Sequence, residues 1–258
     1  MRDCTEDIVV IPVGSGSTGN CFYLEIGPYA FLIDMGIGYR KVKAALELHE
    51  RRLEDVDAVF LTHGHHDHIK ASLPLGNHLS CPVYGHKMTA TRVTLKDKKC
   101  AVLKTDQAQE IFPGLEVRMF AVPHDYPGTC GYSFTYNDRK VSYCTDCGEM
   151  DPLLLEELKG SDVVIIESNH DVEMLKKGPY PYFLQERILS RYGHLSNDDC
   201  AKTVEKLYES GTRNYLLAHL SLQNNTPDTA LETVRNVMKE KEIFLYACPA
   251  EGNDLLRF

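Results

Sequence analysis

The chain has 258 residues, 43% of them hydrophobic and 25% charged, with a formal net charge of −9. That length can bury a full core and lies near the upper size of one domain, and the composition excludes a disordered or low-complexity protein. The acidic balance excludes a surface generally coated by nucleic acid, so a polyanion would have to bind locally.

No stretch approaches the ~20 apolar residues of a membrane span, and the charged segment Met1 to Asp7 lacks the apolar core of a signal peptide. A cytoplasmic protein with no membrane contact is the expectation. Nine cysteines without framework spacing imply reduced thiols. Cys144 and Cys147 form a CxxC with no second pair, and they read as incidental thiols flanking Asp146.

In chain order, Ile8 to Val13 reads as a strand, followed by the small-residue loop Gly14-Ser15-Gly16-Ser17-Thr18-Gly19-Asn20 and a second strand, Cys21 to Ile26. The loop, with Ser15, Ser17 and Asn20, is either a cradle for phosphate oxygens or a plain connection. A third strand, Ala30 to Ile33, ends at Asp34, which reads as a carboxylate orienting a ligand histidine or as a turn residue. A helix is predicted from about Tyr39 to Glu50.

The apolar run Ala58-Val59-Phe60-Leu61 then delivers Thr62-His63-Gly64-His65-His66-Asp67-His68, with four histidines and an aspartate in seven residues. Further on come a short amphipathic run, a strand at Pro82 to Tyr84, and a helix from Lys87 to Leu95 ending in the basic cluster Lys96, Lys98 and Lys99. Strands follow at Leu115 to Val122, Gly131 to Tyr136 and Lys140 to Cys144.

From there the pattern is helix, strand, helix, helix, strand, helix, strand, with strands at Asp162 to Glu167, Asn214 to His219 and Ile243 to Ala247. Ser196 begins a helix through Ser210 with Asp199 three residues on, and Pro227 opens another. This order predicts an α/β (α+β) chain of two sheets packed face to face with helices outside, in one domain spanning 1–258.

Imidazole nitrogens and carboxylate oxygens suit zinc, iron or manganese, and residues packed this closely cannot all face one ion. Two divalent ions are therefore expected. Alternation along an extended segment assigns His63 and His65 to the first, with Asp67 and His68 turned to the second and His66 pointing away. Ligand-type residues recur at three later strand ends. His124 can complete the first trio, His219 can join Asp67 and His68, and Asp146 can bridge, because a carboxylate has two oxygens where an imidazole has one free lone pair.

These residues resemble the metallo-β-lactamase fold superfamily, whose signature is His-x-His-x-Asp-His followed by separated His, Asp and His ligands. The resemblance spans nearly the whole chain and implies an αββα four-layer sandwich with a dinuclear site along one edge. Within the superfamily the chain is most similar to the YycJ/WalJ group of metal-dependent exonucleases. That closer likeness rests on the loop ending Gly19-Asn20, the pair His124-Asp125, Glu167-Ser168-Asn169, Gly178-Pro179-Tyr180-Pro181, Gly193-His194-Leu195-Ser196-Asn197, and His219-Leu220-Ser221. Ala71 departs from the glycine common in that group, which alters a loop but removes no ligand.

The resemblance implies a phosphodiesterase acting on nucleic acid, with DNA exonuclease activity, 5′ to 3′, as the expectation. A small-molecule metallohydrolase such as a glyoxalase-II-like thioesterase is the alternative. Asp67 and Asp146 would hold the attacking water in line. By resemblance, His194 matches the histidine that related nucleases set against the scissile phosphate, and Glu167 could orient it. Ser196 is grouped with Asp34 and the loop residues as supporting the site or the substrate. His86 and His170 are assigned to the surface or to support.

Overall fold

The computed structural model describes residues 7–96 and 99–258, so Lys98 of the basic cluster and most of the charged amino-terminal stretch lie outside the described residues. One sheet contains β1 (Ile8–Gly14), β2 (Cys21–Ile26), β3 (Tyr29–Ile33), β4 (Ala58–Leu61), β5 (Val83–Gly85) and β6 (Cys100–Val102), with β14 (Leu256–Arg257) beside β1. The other contains β7 (Gln107–Phe112), β8 (Leu115–Ala121), β9 (Cys130–Tyr136), β10 (Arg139–Cys144), β11 (Val163–Glu167), β12 (Asn214–Ala218) and β13 (Phe244–Ala247), in chain order across the sheet. Each sheet begins antiparallel and turns parallel: from β3 to β6 in the first, and from β10 to β13 in the second.

Strands such as β1, β4 and β11 read as continuous apolar runs because both of their faces are covered. Val10, Leu24, Phe31 and Phe60 of the first sheet meet Val117, Phe134, Tyr143 and Ile165 of the second. The alternate residues Ile11, Tyr23, Leu32 and Val59 pack on Val42 and Leu46 of α1 (Tyr39–Glu47) and on Leu75 of α3 (Ser72–Gly76), which follows the short α2 (His66–Ile69). Val164, Ile166, Tyr215 and Leu217 pack outward on α5 (Pro152–Leu158), α8 (Asn197–Glu209) and α9 (Pro227–Met238). The layers are thus αββα, as expected.

Several boundaries differ from those read in the sequence. The helix from Tyr39 ends at Glu47, because Glu50 turns left-handed (φ 59°) and the Arg51 N–H folds back onto the Leu46 carbonyl. The helix predicted to reach Leu95 is only α4 (Lys87–Ala90); the β-branched Thr89, Thr91, Val93 and Thr94 disfavour continuation. β6 and β7 were not predicted. β6 has three residues and β7 is a partly exposed edge strand, so neither shows clear alternation. Three helices rather than two separate β11 from β12: α6 (Val172–Lys177), α7 (Tyr182–Leu189) and α8. Among the described residues, no helix is long and apolar enough to cross a membrane.

Candidate metal centre

Parallel pairing brings strand ends of like polarity to one edge, and chemistry-bearing residues follow those ends. Asp34 follows β3 and His63 follows β4, while Asp146, Glu167 and His219 stand at the ends of β10, β11 and β12. Asp34, Asp146 and His219 all have left-handed backbone (φ 64°, 55° and 57°), a conformation that costs non-glycine residues about 1–3 kcal/mol each. Surrounding contacts hold them there. The Ser15 hydroxyl accepts the His219 N–H (2.7 Å), and the Asp34 N–H donates to the Phe60 carbonyl (2.9 Å).

Five imidazoles converge, and each has one nitrogen turned outward. His63 Nδ1 lies 3.0 Å from the Thr62 hydroxyl, His68 Nδ1 donates to Asp34 Oδ2 (2.7 Å), and His124 Nδ1 donates to the Gly193 carbonyl (3.1 Å). His219 Nδ1 donates to Glu167 Oε1 (2.9 Å), and His65 Nε2 stands 3.6 Å from Asp125 Oδ1. In a neutral ring, an outer nitrogen used as donor leaves the inner one with its lone pair, which is how outlying hydrogen bonds prepare histidines for a metal.

The inner atoms form two sets. His63 Nε2 and His124 Nε2 lie 3.0 and 3.3 Å from His65 Nδ1. Asp67 Oδ2 lies 3.5 Å from His68 Nε2 and 3.7 Å from His219 Nε2. Asp146 stands between them, with Oδ2 3.3 Å from His68 Nε2 and Oδ1 3.8 Å from His124 Nε2. His63, His65 and His124 form one group with donor spacing for a metal ion, and Asp67, His68 and His219 another. Asp146 belongs to two further overlapping groups, one of which includes Glu167 and His194. His66 is exposed and outside all four.

The two sets differ in their electrostatics. Burial pushes His63 far below the usual imidazole value, helped by the neighbouring histidines, and burial likewise lowers His65 and His124. Burial also opposes protonation of His68, yet Asp34, Asp146 and Asp67 outweigh it and raise its pKa to about 9. His219 is raised well above its usual value, as Asp146, Asp67 and Glu167 overcome its burial.

Glu167 is fully buried. Burial would raise its pKa, but the His194 charge and hydrogen bonds from His194 and His219 hold it below the carboxylate range. Its Oε1 accepts from His194 Nδ1 (2.8 Å) as well as from His219, and its Oε2 accepts the Cys147 and Leu195 N–H groups (2.7 and 3.2 Å). The His194 side chain is 23% exposed and opens on a cleft of about 170 Å³ lined also by Ser17, Asp125, Tyr180, Leu184 and Arg187.

The small-residue loop is built differently from a phosphate cradle. The Gly16 N–H donates to Asn20 Oδ1 (2.8 Å) and the Gly19 N–H to the Gly16 carbonyl, so these two amides are already used. Ser15 is buried, whereas Ser17 is exposed at the cleft. Asn20 Nδ2 reaches Asp67 Oδ2 (3.3 Å) and His68 Nε2 (2.9 Å), tying the loop to the histidine segment. Ser196 caps α8, as its spacing from Asp199 predicts: its hydroxyl accepts the Asp199 N–H and donates to the Asp199 carboxylate. His86 caps α4, and His170 is buried beside Asn169.

Sequence reasoning gave no role to Thr62, which joins Asp34 to two histidines, or to the ion pair of Asp125 with Arg187. Gly36 also matters to this edge. A Cβ there would lie 1.7 Å from the Asp67 carbonyl oxygen and 2.5 Å from the Asn20 nitrogen, where the Asn20 N–H donates to that carbonyl. Gly36→Ala is therefore expected to cost roughly 3 kcal/mol or more in denaturant unfolding. Gly38→Ala, where a Cβ meets nothing within 4 Å, should cost less than about 1 kcal/mol.

Residues 29–220 match the family model described as the beta-lactamase superfamily domain. The chain is 34% identical over 236 residues to the exodeoxyribonuclease YycJ of Bacillus anthracis, covering 89% of this chain and 88% of the relative. It is 31% identical over 240 residues to the exodeoxyribonuclease WalJ of Streptococcus pneumoniae, covering 90% and 88%. In fold it is similar to the metallo-β-lactamase fold protein YhfI of Bacillus subtilis, with a TM-score of 0.74, 21% identity, and coverage of 98% and 100%.

Proposed function

The chain belongs to the metallo-β-lactamase fold superfamily, and from that premise we propose that it is a DNA exonuclease, 5′ to 3′, working as one hydrolase domain with two divalent ions of zinc, manganese or iron. His63, His65 and His124 would hold the first ion and Asp67, His68 and His219 the second, while Asp146, which approaches rings of both sets, would serve as the shared carboxylate. The fit rests on unmet bonding needs. Asp146 Oδ2 and His219 Nε2 are buried without a hydrogen-bond partner, and buried polar atoms seldom lack one. Buried free thiols agree with a reducing, cytoplasmic setting.

Bound ions supply Lewis acidity at the phosphoryl oxygen and a water acidified toward neutrality. The chain does the rest. Asp67 and Asp146 align the attacking water, and His194 gives a proton to the leaving oxygen, while Asp34 and Glu167 keep the rings of His68 and His219 in place. Glu167 carries the nuclease reading: one buried oxygen fixes both His219 and His194, a ring that neither triad needs, 3.8 Å from Asp146 and open to the cleft.

The test is metal-reconstituted protein incubated with end-labelled single- and double-stranded DNA and RNA and with a thioester. Progressive loss of nucleotides from the DNA 5′ end is expected. Thioester hydrolysis with every nucleic acid left intact would mean a glyoxalase-II-like small-molecule hydrolase instead.

Metal uptake should depend on pH unequally. His68, raised to about 9, and His219 carry protons at neutral pH that the second ion must displace, whereas the first trio has its lone pairs free. Binding of the second ion should therefore weaken progressively as pH falls below about 9, with proton release measurable by calorimetry in buffers of different ionisation enthalpy. The first ion should respond less.

A further inference from the structure

The segment 176–194, which leads into His194, is unlike the rest of the chain. It carries Lys176, Lys177, Arg187 and Arg191 against one acid, Glu186, in a protein of net charge −9. It also holds three of the four exposed aromatic side chains among the described residues: Tyr182 and Phe183, each 74% exposed, and Tyr192, 50% exposed. Elsewhere among the described residues the aromatics are buried, as Tyr23, Phe60 and Tyr143 are, or half-buried, with Phe244 the one other exposed ring.

Exposed aromatic rings cost free energy in water unless they meet something. Helix α7 turns Leu184, Arg187 and Ile188 to the cleft that His194 and His219 share, and Tyr182 and Phe183 stand at its amino-terminal end. After the end of α7 the Arg191 guanidinium lies 5.1 Å from the Tyr192 ring centre. The four cations are exposed; Lys177 and Arg191 meet Glu173 and Glu149 in surface pairs that compete weakly with a phosphate, while Arg187 is held by Asp125 through two nitrogens. Rings for base faces beside cations for a backbone are what a single strand requires.

We propose that Tyr182, Phe183 and Tyr192, with Arg191, form a stacking platform that receives the single-stranded DNA running to the scissile phosphate. This rests on the nuclease reading. Duplex ends then become substrates only after the terminal bases open, so single strands are preferred over blunt duplexes.

The test compares metal-loaded wild type with the double variant Tyr182→Ala/Phe183→Ala and with Tyr192→Ala on oligodeoxythymidylate, an abasic oligomer of equal length, and a bis-aryl phosphodiester. Losing a stacked base raises KM on the thymidylate roughly 10- to 100-fold, with kcat nearly kept. Tyr182→Phe should restore it. Turnover of the aryl diester and the abasic oligomer, which offer no nucleobase to stack, should change less than about 2-fold, which also reads correct folding.

A variant equal to wild type on thymidylate overturns the platform alone. So does an equal loss on the aryl diester, or a wild-type dimer that the double variant dissolves without affecting cleavage. If wild type cleaves the aryl diester but no oligonucleotide, the nuclease reading falls and the platform with it.

Discussion

Asp146→Ala is expected to abolish hydrolysis, lowering kcat/KM by roughly 10⁴-fold or more, equivalent to about 5 kcal/mol. Asp146 is 2% exposed, touches rings of both histidine sets, and has one buried oxygen that no hydrogen bond satisfies. Without it, both sets lose the group they share. Asp67→Ala should be nearly as severe but more selective, since the histidines that Asp67 meets at ion-pair distance among the described residues are His68 and His219, both of the second set. The expected stoichiometry, read by elemental analysis after dialysis, is below two ions per chain for both variants, with the His63, His65 and His124 trio keeping its ion in Asp67→Ala. His66→Ala is the control: His66 is exposed and outside every donor group, so metal content and activity should both be retained. If His66→Ala loses metal as severely as His65→Ala, the alternation that assigns the histidine segment is wrong.

The fold was legible where the pattern is local. Runs such as Ile8 to Val13 and Ala58 to Leu61 announce strands buried on both faces, and Ser196 and Pro227 mark helix starts through their own chemistry. The histidine segment was legible because residues of both sets lie within seven positions after a strand. His124, Asp146 and His219 could be found only as ligand types at strand ends. What stayed hidden depends on register between distant segments. Ser15 meets the His219 N–H across 204 positions, Arg187 meets Asp125 across 62, and one oxygen of Glu167 serves two rings that lie 27 and 52 positions away. The left-handed backbone at Asp34, Asp146 and His219 is equally nonlocal, because these residue types do not demand it and only the packed edge enforces it.

His194→Ala separates a nuclease from a generic metallohydrolase. The ring hangs on Glu167 through Nδ1, which leaves Nε2 for the cleft, and neither histidine set needs it. General acid assistance is typically worth ~10²–10⁴-fold, so kcat on DNA should fall by about that factor while two ions per chain are retained. KM should change less. The loss should shrink on an aryl phosphodiester, whose leaving group departs without a proton, and that contrast distinguishes proton donation from a general disturbance of the site. Glu167→Gln should give a different pattern, because Glu167 also holds His219 and two backbone amides: activity should fall together with affinity for the second ion. Loss of an ion from His194→Ala would instead place His194 among the ligands, in the group it forms with Asp146, Glu167 and His219, and near wild-type cleavage of DNA and RNA would remove it from the chemistry altogether.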